Sequence, residues 1–137
     1  MTGARTKTEV RFQSSVFNTS APKPYFINPC CFGDDVCRWM IEELRTKSIE
    51  ADDEPGQEDF GWYLTFWADQ AKHFFVVGFR PGDEATPGQW IGWLERAGLF
   101  RRVFGRRSRD VSPGAYDLVN EILSSSAKVS SVSWHEQ

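Results

Sequence analysis

Residues 60–67 and 74–79 are two aromatic and β-branched runs separated by the polar stretch 68–73. Side chains of this kind suit a pleated, packed surface, and two such runs around a short polar connection predict an antiparallel hairpin. Along the first run Phe60, Trp62, Leu64 and Phe66 fall on one face and Tyr63 and Trp67 on the other. In the second, Phe74 and Val76 alternate with Phe75, Val77 and Phe79. Both faces of the ribbon are therefore apolar, whereas a sheet wetted on one side alternates apolar and polar residues. Each large apolar side chain left in water forgoes roughly 1.5–3 kcal/mol, so the ribbon needs a cover on each side.

The flanking sequence supplies a cover for one side. Residues 34–47 carry Val36, Cys37, Met40, Ile41 and Leu44 at helical spacing, preceded by Gly33-Asp34-Asp35, which favours a helix N-terminus. A second helix is predicted over 113–126, opened by Ser112-Pro113, with Tyr116, Val119, Ile122 and Leu123 on one face. Further strands are expected at Val10, Phe12 and Val16, at 129–135, and as a short edge within the polar loop 49–59. Residues 22–29 are a competing candidate for the first strand. The segment at 90–94 has strand composition, although Thr86-Pro87-Gly88-Gln89 resembles a helix start; we read it as a strand. The order predicts an α+β two-layer sandwich, a ferredoxin-like antiparallel or mixed sheet with two helices on one face and an insertion at 83–110. Residues 1–8 read as a flexible N-terminus and 9–137 as a single domain, the natural count for 137 residues.

For the second side of the ribbon three covers are open. Trp90, Ile91, Trp93, Leu99, Phe100, Val103 and Phe104 could fold back as a third layer. A second copy could pair through the sheet face, giving a homodimer. A ligand or a foreign protein could occupy it, since Trp, Tyr and Arg dominate binding hot spots and this chain is rich in all but Tyr.

Few motifs of chemistry are present. The chain has no phosphate loop ending in Gly-Lys-Ser/Thr, no Gly-x-Ser-x-Gly elbow, no His-Glu-x-x-His and no Cys-x-x-Cys. His73 and His135 read as solvent-facing. Cys30, Cys31 and Cys37 are confined to eight positions without the spacing or fourth ligand that zinc prefers, and read as reduced thiols, Cys37 on the apolar stripe. Neither a metal nor a cofactor is expected. The first nine residues lack an apolar targeting core and the longest apolar run, 74–77, is far short of a membrane span, so a cytoplasmic chain without a membrane partner is expected.

With 16 Lys+Arg against 19 Asp+Glu the formal charge is only −3, so bulk charge does not select a partner. Charge is instead local. Glu50, Asp52, Asp53, Glu54, Glu58 and Asp59 form an acidic loop suited to a basic protein. Arg101, Arg102, Arg106, Arg107 and Arg109 form a basic segment whose guanidiniums suit phosphate or carboxylate. The total charge and the absence of an aromatic RNA-binding consensus argue against nucleic acid.

The candidate partner-binding residues are accordingly Tyr63, Trp67, Phe75 and Phe79 with Asp52, Asp53, Glu54, Glu58 and Asp59. The candidate anion-binding residues are Arg101, Arg102, Arg106 and Arg107. In element order, and in the segments Glu58-Asp59-Phe60-Gly61-Trp62 and Ser131-Val132-Ser133-Trp134, the chain resembles small uncharacterised bacterial α+β domains of ferredoxin-like layout. That resemblance carries no catalytic motif. The expected function is a non-enzymatic protein-interaction domain, an inhibitor or immunity-like protein being one instance. The alternative is a small enzyme or sensor holding an anionic ligand on the arginine segment, with Glu58, Asp59 or His73 as acid or base.

Overall fold

A computed structural model describes residues 7–27, 31–59, 61–97 and 111–136. Among these, six strands and two helices follow one another: β1 (Lys7–Gln13), α1 (Asp34–Thr46), β2 (Gly56–Glu58), β3 (Gly61–Ala68), β4 (Ala71–Arg80), β5 (Gln89–Arg96), α2 (Pro113–Ser125) and β6 (Ser130–Glu136). The strands form one sheet in the order β2-β3-β4-β5-β1-β6, antiparallel at every pairing. The chain is thus α+β.

The central hairpin is tighter than the sequence suggested. Ala68 pairs with Ala71, leaving Asp69 and Gln70 as a two-residue turn with φ of 52° and 64°. Positive φ at both central positions gives the turn the twist of its flanking strands. The turn also sets the register, so Tyr63 lies opposite Val76 and Leu64 opposite Phe75. Strand β5 extends this ribbon, with Trp93 opposite Val76 and Leu94 opposite Phe75. Residues 90–94, weighed between helix and strand, are strand: they lie between two apolar neighbours that leave ladder groups to be paired.

Alternate residues of the strands meet both helices. Val10, Phe12, Trp62, Leu64, Phe66, Phe75, Val77, Trp90 and Leu94 share one buried cluster with Val36, Cys37, Met40, Ile41 and Leu44 of α1 and Ala115, Val119, Ile122 and Leu123 of α2. Gly92 sits within this surface, opposite Val10 and Val77, and a Cβ there would come within 2.8 Å of the Phe75 ring. Its missing side chain is what lets Phe75 lie across β5. Helix α2 starts as expected, with the Ser112 hydroxyl accepting the Ala115 N–H at 3.1 Å and Pro113 in the first turn.

Three expectations are corrected. Residues 22–27 are not a strand: Pro22 and Pro24 remove ladder donors, and the segment is a loop that buries Phe26 against Phe32 and Trp62. Strand β1 begins at Lys7, and Thr8 is fully buried. Of the expected insertion at 83–110, residues 89–96 are β5, inside the sheet between β4 and β1. The expected third layer loses Trp90, which is buried on the helix side. Leu99, Phe100, Val103 and Phe104 lie outside the described residues.

Candidate functional site

The face of the sheet turned away from the helices is set by the same register. Tyr63 and Trp67 on β3, Phe74 and Val76 on β4, and Ile91 and Trp93 on β5 share it. Tyr63 and Phe74 meet edge to face with ring centroids 5.9 Å apart. The Tyr63 ring also crosses β2 at Gly56, where a Cβ would lie 2.5 Å from it. Val76 is covered, but Tyr63, Phe74, Ile91 and Trp93 remain half-exposed and Trp67 keeps 44% of its surface in water. Beside Trp93 a pocket of about 300 Å³ opens, lined by Gly78, Phe79, Arg80, Pro81, Ile91 and Trp93.

Some charged groups on this face are matched at short range, while Lys72, opposite Trp67, is exposed without an ion-pair partner among the described residues. The Trp93 Nε1–H donates to Glu95 Oε2 at 2.7 Å, and Arg11 Nε donates to Glu9 Oε2 at 2.8 Å, with Glu9 opposite Trp93 in the ladder. Arg80 is exposed and has no ion-pair partner among the described residues.

The structure divides the expected aromatic patch. Tyr63 and Trp67 belong to the open face. Phe75 is fully buried on the helix side, and Phe79 packs on Trp90 with centroids 5.1 Å apart. The correction follows from the parity of the turn. Any turn of an even number of residues, the observed two or the expected six, puts Phe74 and Val76, not Phe75 and Phe79, on the face of Tyr63 and Trp67. Phe74, Ile91 and Trp93 are the open-face residues that sequence reasoning missed as site candidates.

The acidic loop is divided as well. Asp52 is bound into the fold: its carboxylate accepts the Thr65 N–H at 2.7 Å and the Thr65 hydroxyl at 2.6 Å. The backbone around it pairs with β3, where Asp52 N–H donates to Thr65 O and Trp67 N–H to Glu50 O. Asp53 is paired with Arg45 at 2.6 Å and Glu54 faces Arg38 at 3.8 Å, both at the surface of α1. Glu58 and Asp59 are exposed at the β2–β3 turn. The segment mainly closes an edge of the sheet and answers helix cations.

Both histidines have structural company. His73, expected at the surface, is fully buried, because the short turn makes it part of β4, where it meets the N-cap of α2 at Ser112. Its Nδ1–H donates to Ala71 O at 3.0 Å and Nε2 accepts the Ser112 N–H at 3.2 Å. The tautomer follows from these partners, since a carbonyl can only accept. Burial lowers its pKa from the ordinary histidine value. His135 Nε2 lies 2.9 Å from Ser133 Oγ on exposed β6.

Cys37 is buried in the core, and burial raises its thiol pKa well above the ordinary value, so it is held as the unreactive thiol. Cys31 donates its S–H to Asp59 O at 3.2 Å. Among the described residues no three His, Cys, Asp or Glu side chains are grouped to hold a metal ion, and no helix is long and apolar enough to cross a membrane. Cys30 and the candidate anion-binding residues Arg101, Arg102, Arg106 and Arg107 lie outside the described residues.

In comparison with known proteins the chain matches no family model, no curated protein and no solved structure.

Proposed function

We propose that this chain is a non-catalytic protein-binding domain whose partner covers the open sheet face at Tyr63, Trp67, Phe74, Ile91 and Trp93. One observation carries it: the aromatic rings of β3, β4 and β5 continue across both faces of the sheet, while both described helices pack on a single face. An apolar surface of this kind is costly to leave wet, and Trp and Tyr are the residues that anchor protein interfaces. Binding in place of catalysis is supported by the buried, neutral His73 and by the internal hydrogen bonds of Asp52. For a ferredoxin-like layout the support is the two helices packed on one face of an antiparallel sheet; β5, antiparallel to both β4 and β1, makes those two strands run parallel, where the ferredoxin order has them antiparallel.

The test is site-specific photo-crosslinking in the cells that make the protein, with the crosslinker placed at Trp67, at Ile91 or at Glu42 on the exposed side of α1. Adducts of a defined larger mass from Trp67 and Ile91 but not Glu42 are the expected result. Adducts from Glu42 alone, or from none of the three, overturn the proposal.

A further inference from the structure

Resting on that function, we propose that the partner anchors itself by an extended segment that seats an apolar side chain against Ile91 and Trp93 and sets a carboxylate on Arg80. The pocket supplies both halves of this chemistry. Its walls include the apolar surfaces of Ile91, Trp93 and Pro81; its volume of about 300 Å³, at the lower end of the ligand-pocket range, has room for one large side chain. Gly78 contributes no side chain, so an incoming backbone can approach β4 closely.

Charge selects what enters beside the apolar group. Arg80 is the one charged residue among those lining the pocket. The nearby charges are already answered, Arg11 by Glu9 and Glu95 by the Trp93 indole. The guanidinium of Arg80 has no such answer within the described residues, and its fork accepts a carboxylate in two-point geometry. A free phosphate fits less well, because a single guanidinium beside apolar walls supplies few of the donors that phosphate takes.

The experiment uses the full, isotopically labelled chain and follows its amide and indole resonances. Three probes are titrated: an acetylated, amidated peptide Ser-Gly-Leu-Asp-Gly-Ser, its counterpart with Lys for Asp, and inorganic phosphate. The aspartyl peptide is expected to move Gly78, Ile91 and the Trp93 indole, and to bind about fivefold or more tightly than the lysyl peptide. Arg80→Glu, at an exposed position, is expected to keep the native spectrum elsewhere and to reverse the order of the two peptides. Equal binding of the peptides, shifts centred elsewhere, no shifts, or the same shifts with phosphate alone overturn the proposal. So does a concentration dependence of these resonances in the free chain, which would give the face to a second copy. Crosslinks from Ile91 together with any of these failures leave the open-face interface standing and remove only its acidic anchor. Loss of the crosslinks removes both.

Discussion

His73 Nε2 accepts the backbone N–H of Ser112 at 3.2 Å, joining the start of β4 to the N-cap of α2 across 39 positions of chain. The bond needs a neutral ring, and burial keeps the ring neutral by lowering its pKa. The charged neighbours oppose each other, Arg96 lowering the pKa and Asp69 raising it. Because the unfolded chain takes up this proton first, stability holds above the ordinary histidine pKa of about 6.5. It falls as pH drops from there toward the lower folded value, with a slope limited to about 1.4 kcal/mol per pH unit. Urea unfolding of the wild type and of His73→Gln across pH 5–7.5 is expected to show this slope in the wild type and its loss in the variant.

The two faces of the hairpin predict opposite responses to losing a ring. Phe75 is fully buried beneath the helices, so Phe75→Ala should cost about 3–5 kcal/mol. Trp67 is 44% exposed on the other side, and Trp67→Ser should cost less than about 1 kcal/mol. Denaturant midpoints of the two variants measure the difference.

Within the acidic segment, stability should depend on Asp52 far more than on its neighbours. Asp52→Ala removes two short bonds to Thr65 and should cost about 2 kcal/mol. Glu54→Gln breaks only an exposed contact to Arg38 at 3.8 Å and should change stability by less than about 0.5 kcal/mol. The same unfolding experiment checks both.

Two buried tryptophans differ in what their indole N–H meets. Trp62 donates to Cys31 O at 2.9 Å, whereas Trp90 Nε1 has no acceptor and is surrounded by Phe12, Phe17 and Phe79. Each Trp→Phe change leaves a cavity, but only Trp62→Phe also strands a carbonyl, so it should cost about 1–2 kcal/mol more than Trp90→Phe. A thermal melt of each variant resolves the order.

Much of this architecture was legible in the sequence because it rests on local rules. Helix α1 follows from the Val36-to-Leu44 stripe, α2 from Ser112-Pro113, and the double-sided ribbon from its unbroken apolar runs. The facing of the second strand was not legible, because it depends on whether the turn takes an even or an odd number of residues, and Asp69-Gln70 lacks the glycine that usually marks the shortest turn. The burial of His73 was hidden by that same missing glycine. The role of Asp52 was hidden because a carboxylate that accepts Thr65 bonds is indistinguishable, in a list of acidic residues, from one that faces water. The pocket at Arg80 joins β4 to β5, and such a junction exists only once both strands have been placed side by side.

Hydroxyl-radical footprinting of the purified chain, compared with the same chain in the extract of its own cells, tests most directly whether the open sheet face is a binding surface. Tyr63, Trp67 and Trp93 are predicted to oxidise readily in the purified chain and to be protected in the extract, with Trp62 and Trp90 protected in both. Protection of all five rings in the purified chain, or equal reactivity of the three open-face rings in both samples, would contradict it.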